Sequence, residues 1–408
     1  MRVLKQIFSP RRLLIWIFLI ILIITVPEIT RPSLSKTEAV VTMLCVERLE
    51  DGLTQVVSTV LTPTQEKTPK HEVFTGVGRS VGEAVDNISL SIGKEMGFAQ
   101  CEILGFGNNI CSEGIMPSLD FFTRTKRVGR NAVLINFDGD VIEFSKAVSD
   151  MGKNKSLNLI DVLNYDNRYF LIEDCNVEAF YKGYFSQISL GIMPQISLNK
   201  EQSDNAIQVQ AGGVSSPQET AETSKEQGKF IINDGTTIAF KNGKKYLEID
   251  PEMVKKINLF INKEQEGAIR VEGVKDDLFE DATVILTVQE KEISIKPKFE
   301  KDKPVYEVSA ELTVLIDEVI ELQPKKKFLR RNKDFFTKAL VGRVEQTVKD
   351  DMNDAIEFCK NNKLDMLEVF RYFYALKNKD FMKYYNKEKE NYLDNIDFKI
   401  DVKIVNDF

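Results

Sequence analysis

A stretch of thirty-one residues, 199–229, divides the chain into two parts that we expect to fold around separate cores. It reads NKEQSDNAIQVQAGGVSSPQETAETSKEQGK, contains no aromatic residue and is rich in Gln, Ser, Glu, Thr and Gly. This composition buries little apolar surface and is typical of a solvated connector. Each flanking part has the length of a domain of about 150 residues or slightly more. We therefore predict an N-terminal domain over 30–198, a linker over 199–229 and a C-terminal domain over 230–408.

The first thirty residues predict a membrane segment. Four basic residues and no acidic residue precede Glu28, and the run from Leu13 to Val26, LLIWIFLIILIITV, is almost entirely apolar. These fourteen residues would span about 21 Å as a helix, short of a hydrocarbon core of roughly 30 Å, so the length suits a signal peptide as well as an anchor. Since the following VPEITRPSLS contains only a weak small-residue cleavage site, Ser33-Leu34-Ser35, an uncleaved anchor is favoured.

The basic flank sets the orientation of this anchor. The positive-inside rule places residues 1–12 in the cytoplasm and the chain beyond a transmembrane signal-anchor over 13–29 outside it. We assign the anchoring role to apolar side chains of the run, namely Leu13, Trp16, Phe18, Ile21 and Ile24. We therefore expect a membrane-anchored protein whose bulk is extracytoplasmic.

A glycine-rich turn follows the probable strand HEVFTG, and its spacing disfavours nucleotide binding. The dinucleotide fingerprint is G-x-G-x-x-G, but Gly76, Gly78 and Gly82 leave Val81 in the third glycine's place. No Lys-Ser or Lys-Thr pair follows Gly82, which excludes the P-loop pattern as well. We interpret the turn as the start of a helix.

Ser80 and Glu83 form the S-x-x-E pattern of a capping box, which predicts a helix over 81–96 that Gly97 ends. Before it, EAVVTMLCVE and LTQVVSTVL predict a hairpin around Asp51-Gly52. After it, CEILGFG and NAVLINF predict two strands with a short helix between them.

The C-terminal part alternates long strands with two helices. Asp234-Gly235 and Asn242-Gly243 are strong turn pairs between short strands, and ATVILTVQEKEISIKPKF and VYEVSAELTVLIDEVIEL predict long strands. Apolar spacing predicts a helix over about 333–360, then a largely apolar helix in LDMLEVFRYFYALK that we expect to pack on a sheet. NIDFKIDVKIV predicts a last strand with one buried face. The basic run PKKKFLRR, 324–331, is interpreted as a solvated turn, with contact to anionic lipid or an acidic partner as the alternative.

Few residues in this chain can carry catalysis or bind a metal. The only histidine, His71, lies in the loop-like TPKHEV, and no spacing of carboxylates singles out a catalytic pair. Five cysteines contain no C-x-x-C, and although Cys101 and Cys111 could bridge a short loop, buried thiols are favoured. The net charge of −7 disfavours a nucleic-acid partner. We predict no catalytic residue, no cofactor and no metal site.

Taken in order along the chain, these motifs resemble the spore germinant-receptor C-subunit family, Ger(x)C. The first group lies around the capped helix, and the second lies in EGIMPSLDFFTR. The residues that match the family motifs, and for which a structural role is predicted, are Gly78, Ser80, Glu83, Ala84, Asn87, Gly93, Gly114, Asp120, Phe122 and Arg124. TIAFKNGKKYLEID and the ending from IEFCKNNKLDMLEVF to NIDFKIDVKIV resemble the C-terminal half of the family.

The chain also departs from the family pattern. Family members usually carry a lipidated cysteine, but no cysteine precedes Cys45 here, so the apolar segment must itself hold the protein in the membrane. Thr125 and Arg127 replace the acidic residues that often follow the motif arginine, and the only tryptophan, Trp16, lies in the anchor.

The resemblance implies an accessory subunit of a nutrient-sensing receptor of the spore inner membrane or cell membrane. Such a subunit works with an A subunit and a transporter-like B subunit and has no catalytic role. The fold class that we expect is α+β, with two or more mixed α/β domains, mainly antiparallel sheets flanked by helices, behind a single N-terminal membrane anchor. The alternatives are a membrane-anchored solute-binding or cell-envelope protein unrelated to germination, and an envelope enzyme that uses carboxylates.

Overall fold

The structure is a computed structural model, and it describes residues 38–62, 70–151, 159–160, 163, 175–197, 236–261, 267–275, 278, 280–320 and 336–406. Within these ranges no helix has the length and apolar character needed to cross a membrane. Four predicted features lie outside the described residues, namely the anchor at 13–29, the linker at 199–229, the turn pair Asp234-Gly235 and the basic run at 324–331.

In the described part of the chain, nine strands form the first sheet, in the order β3-β2-β1-β5-β6-β7-β8-β9 with β4 beside β1. The strands are β1 Glu38–Arg48, β2 Thr54–Thr62, β3 Lys70–Gly78, β4 Glu95–Gly97, β5 Ile103–Gly107, β6 Val133–Asp138, β7 Leu190–Ser197, β8 Thr237–Lys241 and β9 Lys244–Ile249. The helices among them are α1 Val81–Ile92, α2 Asn108–Glu113, α3 Met116–Asp120, a π-helix Phe121–Thr125, α4 Val141–Met151 and α5 Val177–Tyr184.

The first sheet is mixed, which corrects the expectation of mainly antiparallel sheets. β1, β2 and β3 pair antiparallel, as do β7, β8 and β9, but β1, β5, β6 and β7 pair parallel. The chain between successive parallel strands contains helices that carry it back across the sheet, and such crossovers are what parallel pairing requires. The predicted hairpin is confirmed, with Gly52 at a φ of +81° in its turn.

The first sheet continues past the predicted linker. β7 precedes the linker and β8 follows it, yet they pair antiparallel from Leu190 opposite Lys241 to Pro194 opposite Thr237. β8 then turns at Asn242-Gly243, both with positive φ, into β9. The division between the two sheets therefore falls after β9 and does not coincide with the composition boundary at 199–229.

The second sheet has the order β10-β11-β12-β13. Its strands are β10 Gly267–Val274, β11 Ala282–Glu300, β12 Lys303–Ile320 and β13 Asp397–Asn406, and the helices in this half are α6 Pro251–Asn258, α7 Lys338–Asn362 and α8 Val369–Glu388, followed by a 3-10 turn Lys389–Asn391. The two long strands and the last strand are confirmed; β13 pairs parallel to β12.

The helices α7 and α8 confirm the predicted pair but begin later than expected. α7 begins at Lys338 because the Thr337 side chain caps it, accepting from the backbone N–H of Leu340 at 3.1 Å. α8 begins at Val369, since Glu368 has a φ of +56° and cannot continue a helix. The predicted apolar face is buried within α7, whereas Phe336, also predicted on that face, lies before the helix and is half-buried. The buried members are Leu340, Val344, Val348, Met352, Ile356 and Cys359.

Both faces of the first sheet are covered because its strands alternate their apolar side chains. Leu44 and Val46 of β1 pack in the cluster that contains Ala84 of α1, whereas Met43 and Cys45 pack with Phe144 of α4 on the opposite face. The interpretation of TPKHEV as loop-like is wrong at His71, whereas the probable strand HEVFTG is confirmed. His71 lies in β3 opposite Leu61 of β2 and is half-buried.

Candidate functional site

The glycines before α1 allow the helix to lie directly against β3. A Cβ atom on Gly76 would lie 2.1 Å from the carbonyl oxygen of Ala84, and one on Gly78 would lie 2.7 Å from the backbone nitrogen of Ala84. Side chains at these positions would push the helix off the strand. The glycines therefore serve strand–helix packing, a role that their spacing did not predict.

The start of α1 is capped by Ser80 as predicted. The return bond of the capping box, from Glu83, goes to the backbone N–H of Arg79 instead of that of Ser80. The backbone N–H of Glu83 donates to Ser80 Oγ at 3.2 Å, and the Glu83 carboxylate accepts from the N–H of Arg79 at 2.8 Å. Asn87 fixes the helix to β3 by donating from Nδ2 to the carbonyl oxygen of Val77 at 2.8 Å. All three hydrogen bonds are internal to the strand–helix junction.

The end of α1 lies earlier than predicted. Gly93, with a φ of +65°, ends the helix, and its N–H donates to the carbonyl oxygen of Ser89. Gly97, predicted to end the helix, instead lies in β4 opposite Val40 of β1. The family-motif glycine is therefore the C-terminal cap.

The second motif group links α2, α3 and the π-helix to the turn between β8 and β9. Gly114 has a φ of +125°, and the N–H of Ile115 next to it donates to the carbonyl oxygen of Gly243 at 3.0 Å. Phe122 is completely buried, whereas Asp120 and Arg124 form an exposed ion pair at 3.0 Å. The Asp120–Arg124 pair lies one turn apart on the surface and is worth little stability.

The structure brings the two motif groups into one layer. A Cβ atom on Gly82 would lie 3.3 Å from Cε2 of Phe121, which itself packs edge-on against Phe122 at 5.4 Å between ring centroids. Ala84 and Phe122 share one buried cluster. The exposed polar members of the groups are Ser80, Glu83, Asn87, Asp120 and Arg124.

A cleft of about 670 Å³ separates α5 and β7 from the segment between α7 and α8. Its apolar lining includes Phe180, Leu190 and Ile192, and its polar lining includes Lys182, Glu368 and Arg371. Glu368 and Arg371 are ion-paired with each other, and Lys182 pairs with Glu178 at 2.7 Å. Lys182, Glu368 and Arg371 therefore each have an oppositely charged neighbour.

Asp365 also lines the cleft, and sequence reasoning missed it. Its carboxylate accepts from the N–H groups of Val369 at 2.8 Å and Phe370 at 2.7 Å and from the Tyr392 hydroxyl at 2.5 Å. Burial raises the pKa of Asp365, and these hydrogen bonds oppose that rise. An aspartate just before an apolar helical run is a helix-start signal, so LDMLEVF contained the clue. Its hydrogen bonds give Asp365 a structural role at the start of α8.

The described residues contain no cluster of three or more His, Cys, Asp or Glu side chains that could hold a metal ion. All five cysteines are buried free thiols, which leaves Cys101 and Cys111 unbridged. Burial raises the pKa of Cys45, Cys101 and Cys111 to about 12, so these thiols stay protonated near neutral pH.

Two family models cover both halves of the molecule. The N-terminal domain of spore germination proteins matches residues 36–198, and the spore germination B3/GerAC-like C-terminal domain matches residues 234–406. The chain belongs to the spore germinant-receptor C-subunit family. The resemblance stated from the sequence motifs is thereby confirmed.

One solved structure similar to this C subunit is the crystal structure of the GerBC protein. The two chains share 13% sequence identity with a TM-score of 0.49, and the match covers 90% of this chain and 97% of that chain. A search of curated proteins finds no match to this C subunit.

Proposed function

We propose that this C subunit is an accessory component of a nutrient germinant receptor, acting by contact with the A and B subunits rather than by chemistry of its own. We further propose that residues 13–29 hold it in the spore inner membrane or cell membrane, with residues 1–12 cytoplasmic and the remainder extracytoplasmic. The observation that carries the proposal is the match of both family domains, over 36–198 and 234–406.

The described polar groups support a binding role. Asp365 is held by α8 and Tyr392, Glu368 pairs with Arg371 in the cleft, and Lys182 pairs with Glu178 beside it. A subunit without chemistry of its own influences a receptor by binding one of its conformations more tightly than another. The exposed motif residues Glu83, Asn87, Asp120 and Arg124 lie on the surface layer where such a contact can form.

Co-purification tests this proposal. The full chain with a C-terminal tag, isolated from detergent-solubilised spore membranes, should bring the A-type and B-type subunits with it. A sample that contains the tagged chain alone, while the A and B subunits co-purify with each other, would contradict the accessory-subunit role. A matched variant, Asp120→Asn with Arg124→Gln, keeps the fold and tests whether the exposed pair contributes to the contact.

The cleft favours a second candidate, solute binding. Its volume of about 670 Å³ lies within the 300–1,000 Å³ that is usual for small-molecule sites, and it combines apolar walls with a few polar groups. Calorimetric titration of the purified full chain with nutrients tests this candidate. Saturable binding that disappears in Ile192→Trp, with an unchanged melting temperature, would support it. Absence of heat at millimolar nutrient would contradict it.

A further inference from the structure

Residues 124–130, RTKRVGR, concentrate positive charge in a chain whose net charge is −7, and we name this segment the basic loop. It contains four basic residues, Arg124, Lys126, Arg127 and Arg130, and no acidic residue. Arg124, Arg127 and Arg130 are exposed and Lys126 is half-buried. Across the described residues, only Arg124 of these four forms an ion pair, with Asp120. Lys126 lies over the rings of Phe98 and Phe121, at 5.7 Å from each centroid, and the exposed Arg127 and Arg130 are available to a partner.

The backbone of the basic loop adopts two uncommon conformations. The loop begins within the last two residues of the π-helix Phe121–Thr125, a rare conformation that is frequent at functional sites. Arg127 then has a φ of +59°, which a residue with a side chain seldom adopts. Val128 is buried, and its N–H donates to the carbonyl oxygen of Phe122 at 3.1 Å. The loop is therefore pinned at Val128, with Arg127 and Arg130 directed away from the core.

The basic loop lies at the end of the first sheet where the chain enters it. β1, β5, β6 and β7 run parallel, so their first residues share one end of the sheet, which we name the anchor-side end. The basic loop immediately precedes β6, which begins at Val133. The described chain begins at the same end with Glu38 of β1.

Side-chain contacts place the loop close to Glu38. Lys126 Nζ lies 5.7 Å from the ring centroid of Phe98, and Phe98 follows Gly97, which pairs with Val40 of β1. A Cβ atom on Gly97 would lie 3.3 Å from the Glu38 carboxylate. Eight residues, 30–37, separate Glu38 from the end of the predicted anchor at 29, and a fully extended chain spans at most about 32 Å from residue 29 to Glu38. The anchor-side end therefore cannot lie far from a bilayer that holds residues 13–29.

Aromatic side chains adjoin the basic loop. The Tyr181 hydroxyl is hydrogen-bonded to Thr123 Oγ1 of the π-helix at 2.8 Å, and Phe185 stacks on Tyr181 with ring centroids 5.6 Å apart. Phe185 is 73% exposed, which is unusual for so large an apolar side chain. Exposed aromatic residues beside Lys and Arg are typical of surfaces that lie at lipid headgroups.

The acidic residues around the loop cancel only part of its charge. Asp120 and Glu178 pair with Arg124 and Lys182, and the Lys182 hydrogen bond lowers the pKa of Glu178. Glu38 of β1, Glu95 of β4 and Glu102 just before β5 lie at the same end of the sheet and offset part of the charge there. The surface formed by the basic loop, α5 and Phe185 thus keeps an excess of positive charge.

We propose that the basic loop, together with Phe185, contacts anionic lipid headgroups and holds the anchor-side end of the first sheet against the bilayer. This inference rests on the proposed anchoring by residues 13–29, and it adds which surface of the extracytoplasmic part faces the membrane.

Fluorescence of a site-specific label on the full chain, reconstituted in vesicles, tests the contact. Gly129→Cys places a thiol in the basic loop at a position where a Cβ atom meets nothing within 4 Å, and the five native thiols are buried. The matched control is Ala339→Cys, exposed at the start of α7. That helix is about 37 Å long, and its far end reaches β9 through the bond from Tyr246 to Asn362.

In phosphatidylglycerol-containing vesicles, an environment-sensitive label at position 129 should shift to the blue and be quenched by headgroup-labelled lipid. Both effects should disappear in pure phosphatidylcholine vesicles and in Arg127→Gln with Arg130→Gln. They should weaken when ionic strength rises from about 0.1 M to about 1 M, because the Debye length falls from about 10 Å to about 3 Å. The label at position 339 should report water throughout.

Flotation of the full chain with vesicles measures anchoring by residues 13–29 independently of the loop contact. If the chain floats with both vesicle types but the label at position 129 reports water on anionic lipid, the loop contact is wrong and the anchoring by residues 13–29 still holds. A chain that floats with neither type contradicts the anchoring, and the loop contact with it. A blue shift that requires the A and B subunits would instead identify a protein-docking surface, and it would also overturn the lipid contact.

Discussion

At the scale of single residues, Asp365 connects three parts of the C-terminal half. It receives hydrogen bonds from the first turn of α8 and from Tyr392 beyond that helix. Asp365→Asn should lower the free energy of unfolding by about 1–3 kcal/mol, because the amide nitrogen cannot accept a hydrogen bond and leaves a buried donor unpaired. Tyr392→Phe keeps the backbone bonds and should cost about 0.5–1.5 kcal/mol. Urea unfolding of both variants measures the difference.

The pKa of Asp365 makes this difference depend on pH. Burial raises the pKa of Asp365 in the folded chain above its ordinary value of 3.8. The folded state therefore holds the proton more tightly than the unfolded state. This tighter proton binding contributes to the free energy of unfolding, fully below pH 3.8, and the contribution is lost as the pH rises through the pKa of Asp365 in the folded chain. The stability advantage of the wild type over Asp365→Asn should shrink as the pH rises from about 4 towards 7. If the stability advantage of the wild type instead grows over this pH range, the pKa of Asp365 is not raised in the folded chain.

The cysteines give a second prediction at the residue scale. All five are buried, and burial raises the pKa of Cys45, Cys101 and Cys111 to about 12. A thiol-reactive maleimide at pH 8 should label none of them in the native protein, since the thiolate is the reactive form. After unfolding in denaturant, mass spectrometry should find five labels. Three labels without reductant would instead indicate a bridge between Cys101 and Cys111.

At the scale of elements, the contact of β3 with α1 depends on glycine. Gly76→Ala introduces a Cβ atom 2.1 Å from a helix carbonyl oxygen and should cost about 1–3 kcal/mol of unfolding free energy through overpacking. Gly129→Ala is the matched control, because nothing lies within 4 Å of its Cβ position. Equal melting temperatures for the two variants would show that the helix does not pack as described.

Elements with a strong local signal could be predicted from the sequence, and elements fixed by distant partners could not. The Ser80–Glu83 pair, the Asp51-Gly52 turn and the apolar stripe of α7 each act within a few residues. Glu83, Asp120 and Arg124 are exposed charged residues, and their spacing in the sequence does not predict that they lie in one layer. Only the structure shows that they do. At His71 the local signals conflict, since TPKHEV is loop-like and HEVFTG is strand-like, and the pairing of β3 with β2 shows that it lies in a strand. Asp365 gained its role from Tyr392, twenty-seven residues away.

At the scale of the whole molecule, the pairing of β7 with β8 ties the two halves together. Ile238 and Phe240 of β8 are completely buried in the core that holds α1 and the π-helix. A protease site inserted within 199–229 should therefore cut readily without separating the halves, because backbone pairing and buried side chains persist after cleavage. Size-exclusion chromatography of the cut protein should give one peak at the mass of the intact chain. Two peaks would support the two separately folded domains that the composition predicted.

The accessory-receptor role is the central claim, and nutrient-triggered germination of spores that lack this chain tests it most directly. Loss of refractility after nutrient addition should slow sharply in the deletion strain. Vegetative growth and germination by a trigger that bypasses nutrient receptors should stay normal, and the wild-type gene should restore the response. Nutrient germination at the wild-type rate in the deletion strain, with no second C-subunit gene present, would contradict the account.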